Sequence, residues 1–219
     1  MFAALLAPTC AACGAPVVDR RHLLCSDCDA AMPWLTQPCC ARCALPLPCA
    51  PCPARRQAFS NAWAAAAHDG PARRLVIALK LRAAVGLADE LGREIADRAP
   101  AALFAGAVLV PVPADPWRRR YRGLDHALLI ACAVGRHTGL AVTPVLKRIG
   151  PAPRQSGQSR RVRTIGGRIA VQATGPVPAI CTLVDDVHTT GSTLDVCAKA
   201  LLQAGASEVR ALTYGRALR

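Results

Sequence analysis

The chain has 219 residues and a formal net charge of +13, and it is 53% hydrophobic but only 4% aromatic. This length suits one ordinary α/β domain with a small additional module, and the core should consist mainly of Ala, Val, Leu and Ile. No apolar run approaches the roughly 18 residues that span a bilayer, and the first residues lack the basic start of a secretory signal.

We therefore expect a cytoplasmic protein that does not bind a membrane. The positive charge favours anionic partners, which are either phosphorylated small molecules or nucleic acid, and it does not decide between them.

Nine of the twelve cysteines lie between Cys10 and Cys52, and eight of them form four Cys-x-x-Cys pairs. In a reducing compartment such pairs favour metal binding over disulfides. Because two intervening residues let one tight turn direct both sulfurs at one ion, two successive pairs complete a tetrahedral site. The sequence therefore predicts two metal sites, formed by Cys10, Cys13, Cys25 and Cys28 and by Cys40, Cys43, Cys49 and Cys52.

The cysteine-rich segment, residues 1–55, has few large apolar side chains and would hardly fold without a metal. We expect two structural Zn²⁺ ions, which would lower the net charge to about +9. An iron–sulfur cluster is the alternative. Cys39 could replace Cys40 as a ligand if the register of the third pair shifts. Beyond this segment the composition changes, and a second domain is predicted for residues 59–219.

The second domain alternates predicted strands and helices, which is typical of an α/β fold with a mostly parallel sheet and helices on both faces. The predicted strands are 60–68, 108–112, 142–146, 168–172 and 179–184, and the segment 208–214 closes the domain. The predicted helices are 70–82, 87–98, 123–137 and 192–204, the last stopped by Gly205. Residues 148–163 are polar, basic and aperiodic, so we predict a mobile loop.

The most informative segment runs from Ile180 to Thr193. An apolar strand would bring the adjacent acids Asp185 and Asp186 to its carboxyl edge, where open α/β sheets bind ligands. The loop that follows is rich in hydroxyls and leads into a helix, and such loop amides and helix N-termini attract phosphate. The acids suit the hydroxyls of a ribose ring, directly or through hydrated Mg²⁺. The predicted phosphate-binding residues are Thr189, Thr190, Gly191, Ser192 and Thr193.

This segment resembles the 5-phosphoribosyl pyrophosphate signature of type I phosphoribosyltransferases. The resemblance implies that Asp185 and Asp186 hold the ribose and Mg²⁺ as candidate catalytic residues, and that the loop holds the 5-phosphate. A second, weaker signature is a Val-Pro-Val-Pro strand that ends at Pro113 and precedes a basic loop with Arg122. Such a loop could place arginines on a pyrophosphate.

Together with the four Cys-x-x-Cys pairs, these segments resemble the ComF family of competence-associated phosphoribosyltransferase-like proteins over essentially the whole chain. The chain departs from that family at 124–126, where Leu-Asp-His stands in place of the usual Phe-Asn-Gln, and at Thr164, where Asn is usual. Lys80 matches a family lysine whose task the sequence does not define. Its alternative is a helix lysine whose charged end reaches the solvent.

The resemblance implies an enzyme that displaces pyrophosphate from the sugar with a nitrogen nucleophile, linked to DNA uptake or nucleotide metabolism. The alternative is a non-catalytic competence factor that binds single-stranded DNA and meets a competence helicase. No residue identifies the acceptor. The arginines in 148–163 would close over pyrophosphate, contact single-stranded nucleic acid or simply be solvated. His188 is expected to be an exposed side chain rather than a ligand contact.

Overall fold

The computed structural model of the protein describes residues 8–17, 23–82, 85–114, 125–149 and 170–218. The strands are β1 (Ala62–Ala67), β2 (Val108–Pro111), β3 (Leu146–Ile149), β4 (Ala170–Ala173), β5 (Ile180–His188) and β6 (Glu208–Arg216). The helices are α1 (Ser26–Ala30), α2 (Gly70–Arg82), α3 (Val85–Arg98), α4 (His126–Thr138) and α5 (Ser192–Gln203), with a 3-10 turn at Ala101–Leu103.

Four strands form a parallel sheet in the order β1-β6-β5-β2. Ala67 of β1 and His188 of β5 both lie opposite Arg216 of β6, so the carboxyl ends of three neighbouring strands meet at one edge. Strands β3 and β4 form a separate antiparallel pair. Parallel strands in this arrangement bring the loops that follow them together at a single edge of the sheet.

Alternate residues of the central strands enter two different cores, as expected when side chains of a strand point to opposite faces. Leu183 packs on the side of α5, and its neighbour Val184 packs on the side of α2, α3 and α4. Both residues are fully buried. The sheet is therefore covered by helices on both faces, and the predicted fold class is confirmed.

The two halves of the cysteine-rich module differ in how they pack against the second domain. Cys43 and Ala44 belong to the same buried cluster as Phe59 and the α5 face of the sheet. Cys10 and Cys28 instead lie in a small cluster of their own. The part of the module around Cys43 is therefore built into the main core, and the predicted domain boundary between residues 55 and 59 stays a prediction.

Most predicted elements lie where the sequence put them, and helix α2 has the predicted bounds. The predicted strand 142–146 is wrong, because Val142 makes only a single bridge to Leu109 and the strand begins at Leu146. Arg148 lies in β3 and not in a loop, since it pairs with Val171 of β4. The rest of the predicted loop, from residue 150 onward, lies outside the described residues. Within the described part of the chain, no helix has both the length and the hydropathy needed to cross a membrane.

Candidate functional site at the sheet edge and two cysteine centres

The eight cysteines of the four pairs form two clusters of four. Within each cluster, all sulfurs lie within 4.8 Å of one another. In the first cluster the sulfurs of Cys13 and Cys25 are 3.7 Å apart. In the second, the sulfurs of Cys43 and Cys49 are 3.6 Å apart. The first site consists of Cys10, Cys13, Cys25 and Cys28, and the second site of Cys40, Cys43, Cys49 and Cys52.

These distances fit zinc. A tetrahedral ion with Zn–S bonds of about 2.3 Å places its sulfurs roughly 3.8 Å apart. Four thiolate ligands fill all positions of such an ion, which is typical of a structural centre. Burial and the neighbouring thiol of Cys13 raise the pKa of Cys28 to about 12, so binding of a metal here would displace a proton.

The two sites begin with the same local structure. The amide of Gly14 donates to Cys10 O at 2.8 Å, and the amide of Ala44 donates to Cys40 O at 2.8 Å. Both residues have positive φ, +78° for Gly14 and +57° for Ala44. Two similar turns thus present the first pair of sulfurs in each site.

This repetition decides between Cys39 and Cys40. The sulfur of Cys40 belongs to the second site, 3.8 Å from that of Cys52. The thiol of Cys39 instead donates to the carbonyl of Gln37 at 3.3 Å. The cysteines that the structure brings together at the second site are therefore those that the Cys-x-x-Cys spacing predicts.

Near the sheet edge, the second half of β5 carries Asp185 and Asp186. Asp186 forms an ion pair with Lys80 of α2, with Oδ2 and Nζ 2.8 Å apart. Asp185 Oδ1 accepts a hydrogen bond from the amide of Asp186 at 2.8 Å. Burial and the charge of Asp186 raise the pKa of Asp185 to about 8. The acid pair is therefore partly neutralised before any ligand binds.

The sequence did not identify the partner of Lys80. The side chain lies in the third turn of α2 and is 29% exposed, while Asp186 is 15% exposed. The pair is therefore largely shielded from water, and it lies next to the sheet edge and not at a remote surface. A lysine at this helix position could have faced solvent, and only the packing of α2 against β1 and β6 brings it to the acid.

Residues 189–191 join β5 to α5, and Ser192 and Thr193 begin the helix; we call the whole segment Thr189–Thr193 the hydroxyl loop. Gly191 caps α5 with φ +77°, a backbone conformation that is unfavourable for any residue with a Cβ atom. Within the described residues, the amides of Thr190, Gly191 and Thr193 donate to no protein acceptor. The hydroxyl of Thr190 donates to that of Ser192 at 3.1 Å. Free amides and hydroxyls at a helix N-terminus are the groups that bind phosphate.

Two side chains hold the backbone of the hydroxyl loop through hydrogen bonds. Arg216 Nη1 donates to the carbonyls of His188 at 2.9 Å and Thr189 at 2.7 Å. Gln57 Nε2 donates to the carbonyl of Thr190 at 2.8 Å. Both side chains bind carbonyl oxygens of this segment and none of its amides.

The expectation that His188 is exposed is wrong. The side chain is 2% exposed and packs edge-on against Phe59, with ring centroids 6.0 Å apart. Burial and the nearby Arg216 lower the pKa of His188 to about 4, so the imidazole is neutral at pH 7. The residues that follow the cysteine module cover the end of β5, a tertiary contact that the local sequence does not reveal. His188 therefore supports the loop from inside the core.

Pro113 lies just beyond β2, the strand next to β5, and the amide of Val112 donates to Val184 O at 2.9 Å. Arg122, the other residue of the second signature, lies outside the described residues. The two acids and the hydroxyl loop thus lie together at one edge of the sheet. The end of β2, with Pro113 just beyond it, lies at the same edge.

Known proteins resemble the two parts of the chain differently. Residues 1–58 match the family of the double zinc ribbon domain. The N-terminal module is a double zinc ribbon. Its two ribbons correspond to the first and second sites, and the fit of their sulfurs to zinc agrees with this assignment.

Two solved structures align with 57% of this chain and with 25% of their own chains. One is a glutamine phosphoribosylpyrophosphate amidotransferase from B. subtilis in complex with ADP and GMP, at 21% identity and a TM-score of 0.40. The other is described as the allosteric regulatory enzyme of purine biosynthesis, at 23% identity and a TM-score of 0.38. Similarity at this level assigns no function. No curated protein sequence matches this chain.

Proposed function

We propose that the protein binds 5-phosphoribosyl pyrophosphate with Mg²⁺ at the carboxyl edge of its parallel sheet. One observation carries the proposal: two residues after the acid pair, β5 gives way to a loop in which the amides of Thr190, Gly191 and Thr193 have no acceptor among the described residues, and Gly191 caps the helix that follows. The two features lie one after the other on a single strand–loop–helix unit. They suit the two ends of one sugar phosphate.

In this proposal the hydroxyl loop, Thr189–Thr193, holds the 5-phosphate. The free amides and the first turn of α5 carry partial positive charge, and the threonine and serine hydroxyls supply further donors. Asp185 and Asp186 accept hydrogen bonds from the ribose hydroxyls. Pro113 and Arg122 would lie toward the pyrophosphate, in accordance with their place in the family signature.

The acid pair fits Mg²⁺ in the chemistry of its ligands, since magnesium prefers carboxylate oxygens and retains several others from water or phosphate. Lys80 already neutralises Asp186, and burial favours the protonated form of Asp185. We therefore expect the carboxylates to contribute few direct metal bonds, with the sugar and pyrophosphate oxygens supplying most of them. When bound, the ion would neutralise the charge of the pyrophosphate.

The resemblance to the ComF family supports a phosphoribosyl transfer. In such a reaction a nitrogen nucleophile forms a bond to the anomeric carbon, and the bond from that carbon to the pyrophosphate oxygen breaks. The pyrophosphate leaves with the electron pair. The protein would contribute mainly by orienting the sugar and by stabilising the leaving charge.

Isothermal titration calorimetry with 5-phosphoribosyl pyrophosphate and Mg²⁺ tests the binding site. Asp186→Asn removes a charge at the site, and Asp97→Asn removes one from the exposed surface of α3. We expect Asp186→Asn to weaken binding at least tenfold, because a carboxylate accepts stronger hydrogen bonds than an amide. Asp97→Asn should bind like the unaltered protein. Equal binding by all three proteins, or no binding at all, would contradict the proposal.

Two exposed arginine pairs favour a second candidate, binding of single-stranded DNA. Exposed arginine pairs lie on the module linker and on α2, at Arg55 and Arg56 and at Arg73 and Arg74. Phosphate contacts of this kind weaken steeply as salt rises. A gel shift with single-stranded DNA at low salt that disappears on adding salt would support this function. The absence of a shift at low salt would rule it out.

A further inference from the structure

We propose that the second zinc site and the hydroxyl loop form one coupled unit, joined by Arg216 and Gln57, whereas the first zinc site is independent of the loop. Occupancy of the second site would then set the order of the loop and its affinity for phosphate. The inference rests on the proposed function only where 5-phosphoribosyl pyrophosphate serves as the probe. Its structural part concerns the loop alone.

The first connection is Arg216, the last residue of β6. Its guanidinium is almost fully buried, with 3% exposure. Nε donates to the carbonyl of Cys43, a ligand of the second site, at 2.7 Å. Nη1 donates to the carbonyls of His188 and Thr189, where the hydroxyl loop begins. A single planar group thus binds the zinc ligand's backbone and the loop's backbone at the same time.

The charge of Arg216 strengthens this connection. A zinc ion with four thiolates has a net charge of −2, so an occupied second site would lie close to a buried cation that has no carboxylate partner among the described residues. Loss of the metal would remove that compensation.

The second connection runs through the linker after the ribbon. Arg42 lies between the ligands Cys40 and Cys43, and its Nη2 donates to the carbonyl of Gln57 at 2.9 Å. Gln57 Nε2 donates in turn to the carbonyl of Thr190. A hydrogen bond of 2.8 Å from the amide of Ala58 to Asp195 Oδ1 fixes the same linker to the first turn of α5.

The first site has no comparable link. Its buried residues Cys10, Val17 and Cys28 form a separate cluster. Within the described residues, none of its four cysteines and none of its turn residues makes a hydrogen bond to residues 188–193. The two ribbons are similar in local structure, so they provide a matched pair in which only one is connected to the loop.

Coupling of this kind is reciprocal, because a ligand that stabilises the loop must stabilise the zinc site by the same factor. Two variants isolate the sites: Cys25→Ser keeps only the second zinc, and Cys49→Ser keeps only the first. Both positions are the third ligand of their site and are partly exposed. Zinc content by mass spectrometry would verify that each variant retains one ion.

Hydrogen exchange of the Asp195 amide, which donates to Gly191 O, and of the Ala217 amide, which donates to His188 O, is the first measurement, and it needs no ligand. We expect exchange to rise roughly 5- to 150-fold in Cys49→Ser, the usual range of coupling between sites, and by less than twofold in Cys25→Ser. Gln57→Leu should also raise exchange while both zinc ions remain. Gln37→Leu, an exposed glutamine of the same ribbon, should not. Equal exchange in the two cysteine variants, or no change in Gln57→Leu, would overturn the proposal.

Equilibrium competition for zinc with a chelator is the second measurement. With 5-phosphoribosyl pyrophosphate and Mg²⁺ present, the zinc affinity should rise at least fivefold in Cys25→Ser and should stay unchanged in Cys49→Ser. A rise in both variants alike would overturn the coupling. If the unaltered protein does not bind this ligand, the proposed function fails, and hydrogen exchange alone decides the coupling. If Cys49→Ser does not fold, the comparison of Gln57→Leu with Gln37→Leu decides it.

Discussion

A comparison of alanine variants at Gly191 and Gly139 would measure how closely the hydroxyl loop is packed. Both glycines lie at a helix end in almost the same conformation, Gly191 with φ 77° and ψ 3° and Gly139 with φ 75° and ψ 7°. A Cβ on Gly139 would meet no atom within 4 Å. A Cβ on Gly191 would lie 2.6 Å from Gln57 Oε1 and 2.7 Å from His188 Nε2. The two sites therefore differ in contacts and not in backbone strain.

Gly139→Ala should cost only the strain of a left-handed alanine, about 1–2 kcal/mol. Gly191→Ala adds the displacement of Gln57 from the carbonyl of Thr190, about 0.5–1.5 kcal/mol for one hydrogen bond. It also forces the buried His188 to move, and overpacking of a core costs about 1–3 kcal/mol. We expect Gly191→Ala to lower the free energy of unfolding by about 2–4 kcal/mol more than Gly139→Ala.

Urea denaturation at saturating zinc measures both costs, since an unchanged m-value with a lower midpoint reports a loss of stability. Gly191→Ala should also abolish binding of a phosphate ligand, because the same shift moves the free amides. Equal losses of stability in the two variants, to within about 0.5 kcal/mol, would show that the linker and His188 do not hold the loop and would refute this reasoning.

Two further predictions concern buried groups and metal ligands. Burial raises the pKa of Glu94 to about 7, and Tyr214 donates to it at 2.8 Å. The protonated form of Glu94 thus stabilises the fold at low pH, and that stabilisation is lost as the pH rises through 7. The difference in free energy of unfolding between the unaltered protein and Glu94→Gln, measured in urea, should therefore shrink from pH 5 to pH 8. Parallel pH curves would contradict this. Zinc analysis should find two ions in Cys39→Ser and one in Cys40→Ser, and loss of an ion from Cys39→Ser would show that the ligand set is wrong.

The local features of this protein could be predicted from the sequence. Spacing alone assigned the eight cysteines to two sites, because a Cys-x-x-Cys turn fixes both sulfurs within four residues. Helix α5 and the strand before it followed from an apolar run, two acids and a glycine in a fixed order. The predicted residues of the hydroxyl loop lie together for the same reason, since the loop is a continuous segment between a strand and a helix.

Strand pairing was less predictable. The segment 142–146 has the apolar residues of a strand, yet the ladder begins at Leu146 because the partner β4 determines which residues pair. Arg148 became a strand residue for that reason. A strand of four residues has too few side chains for its own pattern to determine where it begins.

The tertiary structure alone decided which side chains support the site. Lys80 reaches Asp186, Gln57 reaches Thr190 and Arg216 reaches Cys43 across 106, 133 and 173 positions of the chain. Each is a long polar side chain whose local sequence allowed solvent as readily as a partner. Sites built from residues that are adjacent in the chain could be predicted from the sequence. Contacts between residues that are distant in the chain depended on how the ribbon, the helices and the sheet pack together.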